Sequence, residues 1–132
     1  MSLTYIKDEV YQKKHGWHDY AWWVEVTVPA KTKITICMYP SLHEVWREKG
    51  YEFEPDALDV FKITHRHDGR LQFKDLLITE SLLSWRYTQP EYVENIAEIE
   101  IENIDDADHT IRVIGLYRAI PRDFYQKIWE EV

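Results

Sequence analysis

The 132-residue chain carries a net charge of -8, and its 16 basic side chains are scattered among 24 acidic ones, which excludes a surface built to follow phosphates. An apolar share of 45% and an aromatic share of 14% exclude a disordered chain. No stretch approaches the roughly 18 to 20 apolar residues that a membrane span requires.

In chain order, Met1-Ser2-Leu3-Thr4-Tyr5-Ile6-Lys7-Asp8-Glu9 lacks the uninterrupted apolar core of a signal peptide. His15-Gly16-Trp17-His18-Asp19 pairs two imidazoles with an acid suited to orienting one of them. It precedes the first strand, and a structural or solvent-facing role is expected. Tyr20 to Val28 alternates with strand period, Tyr20, Trp22, Val24, Val26 and Val28 forming the dry face. Pro29-Ala30-Lys31 turns the chain, and Ile34, Ile36 and Met38 continue the dry face on a return strand, Thr32 to Tyr39. Cys37, the only cysteine, lies on the opposite face without an adjacent base, so neither a disulfide nor an activated thiol is expected. Pro40 ends this strand.

Ser41-Leu42-His43-Glu44 matches a capping box, and Leu42, Val45, Trp46 and Lys49 follow at helical spacing up to Gly50. This predicts a short helix over residues 41–50. Residues 58–77 read as a hairpin around Asp68-Gly69, with Phe61 and Ile63 answered by Leu71 and Phe73. Leu83, Trp85 and Tyr87 suggest a strand closed by Gln89-Pro90. The longest alternating run is Ile96 to Ile120, interrupted by the acidic turn Asn103 to Asp108, and it reads as an up-and-down ribbon of two paired strands. Glu98, Glu100 and Glu102 share one face of it, with Arg112 and Arg118 on the return strand as their expected partners. After Pro121, residues Tyr125, Ile128, Trp129 and Val132 recur at helical spacing, predicting a second short helix over 121–132. The sum is one domain, 1–132, of all-β class: an antiparallel β-sandwich or jelly roll with two short helices.

His65-Arg66-His67 places two imidazoles on one face of a strand, where they can share a metal. The pair resembles in part the metal motif of cupin-type jelly-roll enzymes, which continues with a glutamate shortly afterwards and a later histidine. Here Asp68-Gly69-Arg70-Leu71-Gln72 offers no such glutamate, and the pair adjoins a turn. Polar residues beside an exposed turn are therefore the expectation, with a divalent metal on His65 and His67 as the alternative and no other cofactor. Asp105-Asp106-Asp108 lacks the spacing of a calcium loop and reads as a solvated turn. No Gly-x-Ser-x-Gly and no glycine-rich phosphate loop occurs.

The aromatic surplus carries the functional expectation. Trp22 and Trp23 are adjacent on a strand and face opposite ways, so Trp23 shares the side of Glu25 and Thr27. Trp23, Tyr39, Tyr125 and Trp129 are the candidate partner-binding residues, since tyrosine and tryptophan are enriched where surfaces meet. The expected function is a non-enzymatic structural or interaction subunit, self-associating or bound to a protein partner. A homo-oligomeric or virion-like assembly suits it, in a cytoplasmic or virion-associated setting, with no nucleic-acid or membrane partner. The general shape resembles viral coat, tail and decoration subunits and sugar-binding domains at the level of architecture. The alternatives are a carbohydrate-binding module with an aromatic platform at Trp23, and a cupin-like metal-dependent enzyme using His65 and His67.

Overall fold

In the computed structural model, which describes residues 18–123 and Tyr125, alternating apolar positions produce eight strands. These are β1 (His18–Val28), β2 (Lys33–Met38), β3 (Glu44–Pro55), β4 (Phe61–His67), β5 (Arg70–Leu77), β6 (Ser84–Val93), β7 (Ala97–Asn103) and β8 (His109–Pro121). They form two antiparallel sheets, β1-β8-β3-β6 and β2-β7-β4-β5, pressed together as a sandwich. Of the consecutive strands only β4 and β5 share a sheet. Every other connection crosses to the facing sheet, which is jelly-roll order. The dry faces read from the sequence hold: Trp22, Val24, Val26, Ile34, Ile36 and Met38 pack on a buried core that includes Phe53, Phe61, Ile63, Ile99 and Ile111.

Three expectations are corrected. Residues 41–50 form a turn at Leu42 and His43 and then the start of β3, not a helix. The capping-box match is local, whereas β3 is a central strand held on both sides by β8 and β6, and such tertiary pairing overrides a four-residue signal. The run from Ile96 to Ile120 is not a paired ribbon, because β7 and β8 lie in opposite sheets. The glutamate ladder accordingly meets β2 and β4 instead of Arg112 and Arg118. Glu100 pairs with Lys33 at 2.9 Å and with Arg66 at 3.5 Å, while Arg112 reaches Glu25 and Glu54. As for the terminal helix, Pro121 still belongs to β8, Arg122, Asp123 and Tyr125 are helical, and Phe124 and residues 126–132 lie outside the described residues.

The crossing loop between β7 and β8 is built from polar groups. Buried Asn103 donates to the carbonyls of Val28 and Ala107 and accepts from the Asp105 amide, which satisfies backbone that has left its ladder. His109 is clasped by two carboxylates, Asp56 Oδ1 at 2.8 Å from Nδ1 and Asp105 Oδ2 at 2.6 Å from Nε2. Both ring nitrogens therefore donate. The hydrogen bond to Asp105 is foremost in raising the His109 pKa, and the same bond foremost lowers that of Asp105. A raised histidine contributes fully below its unfolded value near 6.5 and loses that contribution as pH climbs through its folded value. The Asp105 contribution is lost at the other end, as pH falls through its depressed value. We expect the melting-temperature gap between wild type and H109Q to be widest in mildly acidic buffer and to narrow as pH rises through the raised folded value of His109 in a thermal-unfolding series. A gap that widens with alkalinity is the contrary result.

Candidate metal centre

The site begins with an irregularity in β3. Glu48 lies opposite Tyr117 of β8, and the next paired residue, Gly50, lies opposite Leu116, so Lys49 is an extra residue in the ladder. Without it, Glu48 and Tyr51 would point to opposite faces, because strand side chains alternate. The bulge reverses that parity, and Trp46, Glu48, Tyr51 and Phe53 are all buried. Glycine is required at position 50, where a Cβ would run into the carbonyl oxygen of Trp85. On the facing sheet β4 pairs with β7 in unbroken register, so Phe61, Ile63, His65 and His67 share one face, and all four are buried.

Glu48 from one sheet thus meets His65 and His67 from the other. Glu48 Oε2 stands 3.1 Å from His65 Nε2 and 2.7 Å from His67 Nε2, and the two Nε2 atoms are 2.6 Å apart. The side chains are 1%, 0% and 0% exposed respectively. Tyr51 joins them, its hydroxyl oxygen 2.6 and 2.5 Å from the two Glu48 oxygens and 2.8 Å from His65 Nε2. Aromatic rings wall the cluster: Phe73 lies 5.4 Å from the His65 ring, Tyr87 5.8 Å from that of His67, and Trp22 5.8 Å from that of Tyr51.

Proton accounting exposes the peculiarity of this cluster. His65 Nδ1 lies 2.9 Å from the carbonyl of Glu98; a carbonyl only accepts, so Nδ1 carries the proton and a neutral His65 turns its Nε2 lone pair inward. The Glu48 carboxylate, the His65 lone pair and His67 Nε2 share a space about 3 Å across, and one proton satisfies only one of those contacts, while His67 Nδ1 is buried with no partner. Burial pushes the Glu48 carboxyl up, but once the imidazoles are protonated their hydrogen bonds and charge outweigh it, bringing it down to about 2. Tyr51 is pushed well up, by burial first and then by the Glu48 charge. Tyr87 is raised as well, again by burial before charge.

The donor set fits a divalent ion. Neighbouring donors on an octahedral ion bound at about 2.1 Å stand about 3 Å apart, against about 3.4 Å on a tetrahedral one. The observed separations of 2.6–3.1 Å match one octahedral face, the arrangement in which two histidines and a carboxylate leave positions open on the other side. Glu48, His65 and His67 form the one group of metal-ligating side chains that converges in this way among the described residues. The Nδ1–H of His65 on the Glu98 carbonyl is the outer contact that fixes a ligating imidazole.

A cavity opens beside the bulge. The β3–β6 ladder pairs Glu48 with Glu91 and then Gly50 with Arg86, so residues 87–90 stand opposite Lys49 alone; Pro90 among them has no N–H to give. A cavity of about 230 Å³ is lined there by Lys49, Arg86, Tyr87 and Leu116. Tyr87, which lines it, also has its ring 5.8 Å from that of His67, and its hydroxyl is buried and without a hydrogen-bond partner. At the neighbouring end, the Asp68 carboxylate accepts the amides of Glu94, Asn95 and Ile96. These bonds tie the β6–β7 loop over the β4–β5 turn. Burial opposes the Asp68 charge, but the three amides hold its carboxyl below the ordinary range.

The expectation that His65 and His67 sit exposed beside a turn is thereby overturned: both are 0% exposed, because their side chains point between the two sheets towards Glu48 while the turn after them, at Gly69 and Arg70, stays open to solvent. Of the candidate partner-binding residues, Trp23 is 43% exposed on the outer face of β1 with the Arg112 guanidinium 5.0 Å over its ring, and Tyr39 is 64% exposed. Tyr125 is buried on its own sandwich, against Tyr92 and bonded to Glu94, which removes it from an outward-facing set. Trp129 and the stretch His15 to Trp17 lie outside the described residues. His43 is exposed and His109 holds Asp56 and Asp105, so neither joins the cluster. Glu48 and Tyr51 are what the sequence reading missed. A strand reading of 44–53, with Glu48 on the parity of Trp46, would have found Glu48. No protein-family model matches the sequence, and no curated protein matches it significantly.

Removing Glu48 leaves a void in the core and takes a buried hydrogen-bond partner from His65, His67 and Tyr51. We expect E48A to lower unfolding free energy in urea by about 3–5 kcal/mol; a loss below about 1 kcal/mol would contradict the buried geometry. The carboxylate contributes above its unfolded value near 4.5 and loses that contribution as pH falls through about 2. The wild-type advantage over E48Q should accordingly persist through mild acid and vanish in strong acid.

Proposed function

We propose that this protein is a jelly-roll, divalent-metal-dependent enzyme acting on a small molecule, with Glu48, His65 and His67 as the metal ligands. One observation carries the reading: three inward-facing donor atoms from two sheets converge within 3.1 Å in a fully buried pocket. When bound, such an ion polarises a substrate oxygen or lowers the pKa of a bound water. The chain's own residues do the rest. Glu48 and the two imidazoles hold the charge, the Glu98 carbonyl orients His65, and the walls of Phe73, Trp85 and Tyr87 exclude bulk water. The cavity beside Tyr87 supplies a route from the outer face of the sheet. Elemental analysis of protein purified without an affinity tag is expected to show close to one transition-metal ion per chain, lost in an H65A/H67A double variant. Absence of stoichiometric metal in the wild type, together with no uptake on titration with zinc, manganese or ferrous ion, removes the proposal.

A second reading, self-association of the chain, is favoured by Tyr39 and Leu42, which stand 64% and 87% exposed within one loop. Mass in solution tests it: a monomer at high concentration is the result against it.

A further inference from the structure

Tyr51 occupies an unusual place for a tyrosine. Its oxygen is as close to the donor atoms of Glu48 and His65 as those atoms are to one another, at 2.5, 2.6 and 2.8 Å. It carries one proton, which serves one of these contacts at a time. The ring is held rigidly, edge-on to His65 with centroids 4.7 Å apart and stacked over Phe53, and the residue is 1% exposed. The Lys49 bulge is what turns this side chain inward beside Glu48.

Charge points the same way. Glu48 alone offers one negative charge to a divalent ion, leaving a net positive charge in a site with no solvent contact, where uncompensated charge is most costly. A phenolate would bring the donor set to two negative charges and make the site neutral. We infer that Tyr51 is a fourth protein donor, its phenolate oxygen joining Glu48, His65 and His67 on the same ion; this rests on the metal reading above. Binding exchanges the phenol O–H bond for an oxygen–metal bond and releases the proton to solvent, with no change of oxidation state.

Ferric ion added to metal-free protein tests this directly, since a phenolate on ferric iron gives a visible charge-transfer band that carboxylate and imidazole donors do not. The wild type is expected to take up ferric ion stoichiometrically and become coloured, with tyrosinate ring modes enhanced in its resonance Raman spectrum. Y51F should bind the ion and stay colourless, whereas Y87F should keep the band. Stoichiometric uptake without colour overturns the assignment of Tyr51 and leaves the three-ligand site standing. Colour that survives in Y51F, or disappears in Y87F, overturns it too. No uptake by the wild type, read separately by elemental analysis, removes the metal reading and this inference together. If Y51F does not fold, the wild-type and Y87F spectra decide the matter: colour in both supports Tyr51, and its absence from either overturns it.

Discussion

Lys49 is one residue more than the β3 ladder can pair, and the interior is organised around that surplus. The bulge turns Glu48 and Tyr51 to the same side and puts both across the gap from β4. It also coincides with the parting of β3 from β6, where the cavity beside Tyr87 opens. A β-bulge beside a functional cluster is a recurrent device, because one extra residue re-aims side chains without disturbing the rest of a sheet.

The cluster is held at considerable energetic expense. A carboxylate and two imidazoles removed from water are favourable only when their charges and hydrogen bonds are matched. Apolar side chains of similar volume would fill the same space more stably, as Phe53, Phe61 and Ile63 do elsewhere in the core. Local rules broken in an otherwise consistent sandwich are expected at functional or strained sites. The opposite end of the molecule offers the contrast. His109, Asp56 and Asp105 also bring an imidazole to carboxylates, but each ring nitrogen there has its own acceptor, and the trio reads as a loop clasp.

Much of the architecture was legible before any coordinates. The dry faces of β1, β2 and β7 follow from strict alternation, and the Asp68-Gly69 turn joins the one true hairpin, β4 to β5. The two histidines were visible as a same-face pair. Their partner was not, because Ser41-Leu42-His43-Glu44 looked like a helix start, and a helix over 41–50 put Glu48 out of reach of any strand. Nothing local signalled that the face carrying His65 and His67 would lie against the other sheet. That depends on β3 packing across from β4, and the two strands are held by neighbours distant in sequence.

Alternation with period two tells which side of each strand is dry, and for this chain that alone determined a sandwich of antiparallel sheets. It is silent on which strand lies beside which, since β7 and β8 would show the same pattern whether paired or set in facing sheets. Tertiary structure decided that order and, with it, the partners of Glu100, the burial of His65 and His67, and the meeting of Glu48 with both. The physical reason is that sheet neighbours are chosen by the sum of many long-range backbone and packing contacts, while the pattern of a single strand records only its own exposure to water.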